Sequence, residues 1–178
     1  MSQINSLSDI TNNGLCIGCG ICQSLVGTDK ISISMSEKGR LEPEAIKPLS
    51  NLEFEKIKKT CPGVIVEGLP QTEVNNNSKH DLIWGYYNSL FYAWSTDKDI
   101  RFQSSTGGLL NGLSLYLLET NKVDFVLHTA GDPDNPMRSL PKFSYTKKDL
   151  LNCESRSRYG PASPLSRFNA VSYTHLTL

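Results

Sequence analysis

Three cysteines at two-residue spacing, Cys16, Cys19 and Cys22, constrain this chain more than any other feature of its 178 residues. They sit in Cys16-Ile17-Gly18-Cys19-Gly20-Ile21-Cys22, and Cys61-Pro62-Gly63 answers them downstream. Thiols three residues apart face one point only if the backbone wraps around it. Gly18 and Gly20 allow that, because glycine tolerates positive φ. An iron–sulfur run is spelled C-x2-C-x2-C-x3-C-P, its last Cys serving a second cluster where there are two. Here that position holds Val26, followed by Gly27. The local run therefore offers three ligands to one cluster and none to a second. The fourth must come from a distance, and Cys61-Pro62 has the form of a remote ligand. The spacing predicts one 4Fe–4S cluster on Cys16, Cys19, Cys22 and Cys61.

Other uses of these cysteines fit less well. A structural zinc site pairs C-x2-4-C with a second such pair, whereas the second half here is a lone Cys61. A disulfide framework lacks an export signal, and cysteines three apart point poorly for bridging. A radical-generating cluster would want C-x3-C-x2-C. Cys153 is left over and receives no role.

Composition sets the broad class. Hydrophobic residues make up 38%, charged residues 20%, and 18 Lys+Arg balance 18 Asp+Glu. A nucleic-acid partner would leave a basic excess. No apolar run reaches the length of a membrane span. Residues 1–13 carry neither the basic nor the apolar region of a secretory signal. Reduced cysteines and an oxygen-sensitive cluster point to the cytoplasm of a microbe living without oxygen.

Residues 1–15 are polar and read as mobile. Residues 31–35 alternate as a short strand and Leu41 opens a return strand, a pair that suits a ferredoxin-like cluster module. Ser50-Asn51-Leu52-Glu53 has capping-box form, so a helix is predicted over 51–60, with Leu52, Phe54 and Ile57 as its apolar side. That helix delivers Cys61, and Pro62 stops it. Residues 67–80 are Asn-rich without periodicity, a linker or else a surface loop within one domain.

A second unit starts near Leu82. Residues 89–94 read as a buried strand. Asp97 to Arg101 form a charged or helical turn. Ser104, Ser105, Thr106, Gly107 and Gly108 lead into a helix whose Leu109, Leu110, Leu113, Tyr116 and Leu117 share one face. Residues 123–128 read as the next strand, which makes a βαβ unit and a parallel sheet. Residues 132–136 form a loop, and Thr146 caps a further helix. The hydroxyls and side-chain-free glycines of residues 104–108, at a helix start with Arg101 nearby, offer either a phosphate cradle or an ordinary N-cap. They spell neither G-x-G-x-x-G nor a Walker A loop. His80, His128 and His175 share no motif, and nothing resembles a hydrolytic triad.

Taken together, four stretches resemble the beta-subunit family of coenzyme F-420 hydrogenases and dehydrogenases. They are residues 15–22, Cys61-Pro62-Gly63, Asp99 to Arg101 with residues 104–108 and 116–119, and Ser155-Arg156-Ser157-Arg158-Tyr159-Gly160-Pro161. The resemblance implies an iron–sulfur flavoprotein oxidoreductase. Its electrons would pass between the cluster, FAD and coenzyme F-420 or a related small-molecule acceptor. It places FAD contacts on Arg101, Ser104, Ser105, Thr106, Gly107, Gly108, Arg158 and Tyr159. Thr106 stands where serine is commoner, and Arg156 where Gly often stands. The implied partners are a redox subunit or a ferredoxin. Two alternatives stay open, a non-catalytic ferredoxin-like electron carrier and a zinc-stabilised interaction module.

The expected fold is α+β or α/β, a ferredoxin-like 4Fe–4S module over 1–66, a linker over 67–81 and an α/β flavin-binding domain over 82–170. Residues 171–178 resemble translated adapter sequence and are expected to be non-native, leaving the flavin domain incomplete and this chain inactive by itself.

Overall fold

The computed structural model describes residues 4–152, 158 and 160–171. It is a mixed α+β structure with three separate two-stranded antiparallel sheets among the described residues.

Helix α1 (Leu7–Asn12) occupies part of the segment expected to be mobile. Ser6 caps it by accepting the Asp9 N–H at 3.2 Å, and the Asp9 carboxylate accepts the Asn5 N–H at 2.9 Å. Leu7 and Ile10 are buried, so the helix is held by its apolar side rather than by propensity. The cysteine loop follows and runs into α2 (Ile21–Val26). Strands β1 (Ile31–Met35) and β2 (Leu41–Ala45) pair antiparallel, with Ile31 opposite Ala45 and Met35 opposite Leu41. Helix α3 (Asn51–Thr60) carries the full capping box, Ser50 and Glu53 each bonding the other's backbone N–H. Of its expected apolar side, Ile57 is wholly buried and Phe54 packs on the core, while Leu52 is 70% exposed. Leu7, Ile10, Cys22, Ile31 and Ile57 form the first core, so the cysteine loop is laid directly on packed side chains.

Lys30 Nζ binds the Glu53 carboxylate, joining the start of β1 to the α3 cap. The Lys30 ammonium, then the Ser50 N–H and hydroxyl, hold the Glu53 carboxyl at about 2, below its ordinary 4.5. A depressed folded-state pKa stabilises the fold above the unfolded value, and the effect fades as pH falls through the folded one. Thermal stability is therefore expected to drop between pH 4.5 and 2, and less steeply in Glu53→Gln. A melting series over that range checks this.

After a 3-10 turn at Gln71–Glu73, strands β3 (Lys79–Asp81) and β4 (Gly85–Tyr87) form a small hairpin. Asp81 stabilises its turn by accepting the N–H groups of Ile83 and Trp84. Residues 89–94 are not a strand. They are extended coil with Leu90 at 91% and Tyr92 at 99% exposure. A continuous apolar run signals burial only where another element covers it, and among the described residues none does.

Helix α4 (Lys98–Gln103) is capped by Asp97, which accepts the N–H groups of Asp99 and Ile100. A 3-10 turn (Thr106–Gly108) leads into α5 (Leu109–Glu119). The expected apolar stripe of α5 faces outward, with Leu110 at 75% and Tyr116 at 52% exposure, and the buried side is centred on Leu115. Strands β5 (Val126–Gly131) and β6 (Ser139–Ser144) pair antiparallel, Val126 opposite Ser144. The expected parallel sheet is absent among the described residues, because 89–94, the first strand of the expected βαβ unit, forms no strand, and β5 pairs instead with the strand that follows it. Thr146 caps α6 (Lys147–Leu151) through a second capping box. Ile100, Leu115 and Leu150 form the second core. No helix of the described residues is long and apolar enough to cross a membrane.

Candidate metal centre

The wrapped loop expected from Gly18 and Gly20 is present. Both have positive φ, +73° and +82°. Each also lies where no side chain fits. A Cβ on Gly18 would sit 2.8 Å from Leu41 O, and one on Gly20 would sit 2.8 Å from Ser166 Cβ. Cys16 and Cys19 stand in the loop, and Cys22 lies in the first turn of α2. Cys61 is the C-cap of α3, with extended backbone as its following proline requires. Its N–H donates to Ile57 O at 2.8 Å, which anchors it to the buried turn of α3. Gly63 then passes so close to Leu15 and Cys16 that a Cβ there would overlap the Leu15 carbonyl oxygen. That approach sets the remote cysteine beside the triplet. All four cysteines are free thiols and line one small cavity with Leu7, Ile10, Pro43 and Ile57.

Burial in this cavity favours the neutral form of three of the four thiols. Burial raises the pKa of Cys16, Cys19 and Cys22, the last to about 12, and charge on neighbouring cysteines pushes each the same way. Backbone N–H groups oppose the shift, from Gly18 to Cys16 Sγ at 3.4 Å and from Ile21 to Cys19. Uncompensated, these three thiols stay protonated, since burial disfavours the charged form. No three His, Cys, Asp or Glu side chains among the described residues converge closely enough to hold a single metal ion. A zinc site would need thiolates about 2.3 Å from one atom.

A segment that sequence spacing could not connect closes the outside of the loop. Residues 160–168 lie against it. Leu165 N–H donates to Cys19 O at 2.8 Å, and Ser163 Oγ donates to Gly18 O at 2.8 Å. Ser24 Oγ donates to Leu165 O and accepts the Phe168 N–H at 3.0 Å. Gly20 is small because Ser163 and Ser166 occupy the space its side chain would take. A cleft of about 630 Å³ opens beside this contact, lined by Cys16, Cys19, Arg40, Leu41, Pro161 and Pro164 among others.

The expected flavin residues fall in two places. Ser104, Ser105, Thr106, Gly107 and Gly108 form a tight left-handed turn, with φ of +53°, +65° and +70° at its last three residues. Ser95 N–H donates to Gly107 O at 2.8 Å, and a Cβ on Gly107 would meet Trp94 Cβ at 3.0 Å. Asn111 Nδ2 donates to Ser104 Oγ at 2.7 Å, and Arg101 reaches Ser95 O at 3.5 Å. Ser105 is exposed and makes no capping bond to the turn. Arg158 lies elsewhere. Its guanidinium donates to Pro136 O, Arg138 O and Ser139 Oγ, clasping the β5–β6 hairpin. Tyr159, Arg156, Cys153 and the 172–178 tail lie outside the described residues. His128 is half-buried, its Nε2 2.7 Å from Ser144 Oγ, and it takes no part in either place.

Residues 90–168 match the family model described as coenzyme F420 hydrogenase/dehydrogenase, beta subunit N-term. Through that stretch the chain is similar to this beta-subunit family. It is 30% identical over 82 residues to the coenzyme F420 hydrogenase subunit beta of Methanosarcina barkeri (strain Fusaro / DSM 804), covering 46% of this chain and 28% of that protein. A chain of the F420-reducing [NiFe] hydrogenase complex from Methanosarcina barkeri is also 30% identical, at a TM-score of 0.40, over 44% of this chain and 26% of that one. The match thus spans little more than a quarter of either relative's length. The family-model match over residues 90–168 takes in the left-handed turn and the 160–168 segment, while all four candidate ligands precede it.

Proposed function

We propose that this chain is an electron-transferring subunit of an iron–sulfur flavoprotein. One 4Fe–4S cluster is held by Cys16, Cys19, Cys22 and Cys61, FAD binds at the 104–108 turn, and coenzyme F-420 or a related acceptor is the two-electron partner. The observation that carries this reading is the cavity lined by all four thiols, closed from outside by a segment of the family region. When bound, the cluster supplies one-electron transfer and FAD the exchange between one- and two-electron chemistry. The chain's own residues do the rest. Ile57 and α1 cover the thiols on the core side, and N–H groups of Gly18 and Ile21 stabilise sulfur charge. Gly107 and Gly108, packed against Trp94 and Ile100, turn the backbone left-handed into the start of α5, where helix N–H groups favour a phosphate. A redox subunit or ferredoxin of the cytoplasm is the expected electron partner.

Anaerobic reconstitution of the 178-residue chain followed by FAD titration tests the reading. It predicts saturable quenching of flavin fluorescence, weakened at least tenfold in Gly107→Val, whose side chain would enter Trp94 and whose φ is unsuited to branching. A chain that binds iron and sulfide but leaves FAD fluorescence untouched would instead be a ferredoxin-like carrier.

A further inference from the structure

Residues 160–168 do more than cover the loop. Two of their donors, Ser163 Oγ and Leu165 N–H, hold the carbonyl oxygens of Gly18 and Cys19 toward the 160–168 segment. A peptide unit is planar and trans, so its C=O and N–H point in opposite directions. Fixing those two carbonyls toward that segment turns the N–H groups of Cys19 and Gly20 away from it. Gly20 has positive φ and a side-chain position filled by Ser163 and Ser166, so this peptide cannot flip without displacing the segment. Ser24 locks the arrangement from the far side, donating to Leu165 O and accepting from Phe168 N–H.

We infer that Ser163 and Leu165, anchored by Ser24, are positioning residues that aim the Cys19 and Gly20 N–H groups at the metal centre. The inference builds on the cluster proposed above. It adds that the electrostatics of a centre formed by the first 61 residues are set by a segment about a hundred residues further on. Hydrogen bonds to cluster sulfurs are among the determinants of reduction potential, because they stabilise the more negative, reduced form. Burial and these N–H groups therefore act on the cluster together, and only the second is adjustable from residue 163.

Ser163→Ala and Ser24→Ala in the anaerobically reconstituted full chain test this. The readouts are an EPR-monitored redox titration and the rate of iron release to a chelator. Ser163→Ala is expected to shift the potential negative and to speed iron release about fivefold, the worth of one net hydrogen bond. Ser24→Ala, which loosens the segment without touching Gly18, shifts both in the same direction by less. If Ser163→Ala holds no cluster, Ser24→Ala decides by the same two readouts. Wild-type potential in both variants overturns the inference, even if iron release quickens, because a merely structural role would move only the latter. Wild-type chain that takes up no iron and sulfide removes the cluster reading and this inference with it, so the two failures are told apart by the first assay.

Discussion

Cys61→Ser is expected to abolish the four-iron centre while leaving the first core folded. Cys61 stands at the end of α3, held by its N–H bond to Ile57 O, and Ile57 is wholly buried. Its own side chain is only partly buried and lines the cavity rather than filling the core. Serine keeps the backbone conformation that Pro62 demands and loses only the soft thiolate that iron prefers. Iron and sulfide should fall from about four each per chain to a residual three-iron form or none. Circular dichroism of the unloaded chain should be unchanged. The corresponding change at Cys22, which is 8% exposed and part of the core, should lower the unloaded chain's melting temperature as well. The contrast separates a ligand from a packed side chain at two positions in one cavity.

Gly63→Ala is expected to be the most damaging single methyl group in the first unit. Here the glycine is required by space rather than by dihedral, since the added carbon would overlap the Leu15 carbonyl oxygen. Backbone cannot yield as a side-chain tip can. The cost is about 3 kcal/mol, the upper part of the range for forced overpacking. The strain falls on the crossing of residues 15–16 with 61–63, the junction that brings the remote cysteine to the triplet. A melting curve should show the loss, and the reconstituted variant should hold less iron even at temperatures where it remains folded. Gly39→Ala is the comparison. It lies in the β1–β2 turn at φ +71° with open space around it, so it carries only the dihedral penalty, about 1–2 kcal/mol.

Which parts of this arrangement were legible in the sequence follows from how local each cause is. The Ser50–Glu53 and Thr146–Asp149 caps, the alternation of residues 31–35 and the proline after Cys61 act within a few residues, and the helices and strand they predict are present. Helix α1 had a local signal as well, Ser6 and Asp9 around Leu7 and Ile10, but one turn of apolar spacing is short to set against a polar segment. The outward apolar face of α5 and the exposed 89–94 run were misread for the opposite reason. Hydrophobicity reports what a segment needs, not what lies over it, and the extended, uncovered state of Leu90 and Tyr92 depends on partners outside the segment. The parallel sheet failed for the same reason, since its first strand was the 89–94 run, and without it β5 pairs with β6.

The candidate site divides in the same way. Cys16, Cys19 and Cys22 are named by their spacing, and Cys61 by the gap at Val26. The contribution of Ser163, Leu165 and Ser24 has no such signature, because serine and leucine in a polar loop carry no spacing rule and the contact spans more than a hundred residues. Arg158 illustrates the reverse. Its place in a recognisable loop suggested a ligand contact, while its guanidinium is committed to three acceptors on the β5–β6 hairpin.

The central claim is that these four thiols together hold one four-iron cluster. The direct measurement is the iron, sulfide and zinc content of the anaerobically reconstituted chain, with EPR of the reduced protein. The account predicts about four iron and four sulfide per chain and a single reducible cluster signal of about one spin per chain, absent in Cys61→Ser. One zinc per chain with no sulfide, or a four-iron signal undiminished in Cys61→Ser, would contradict it.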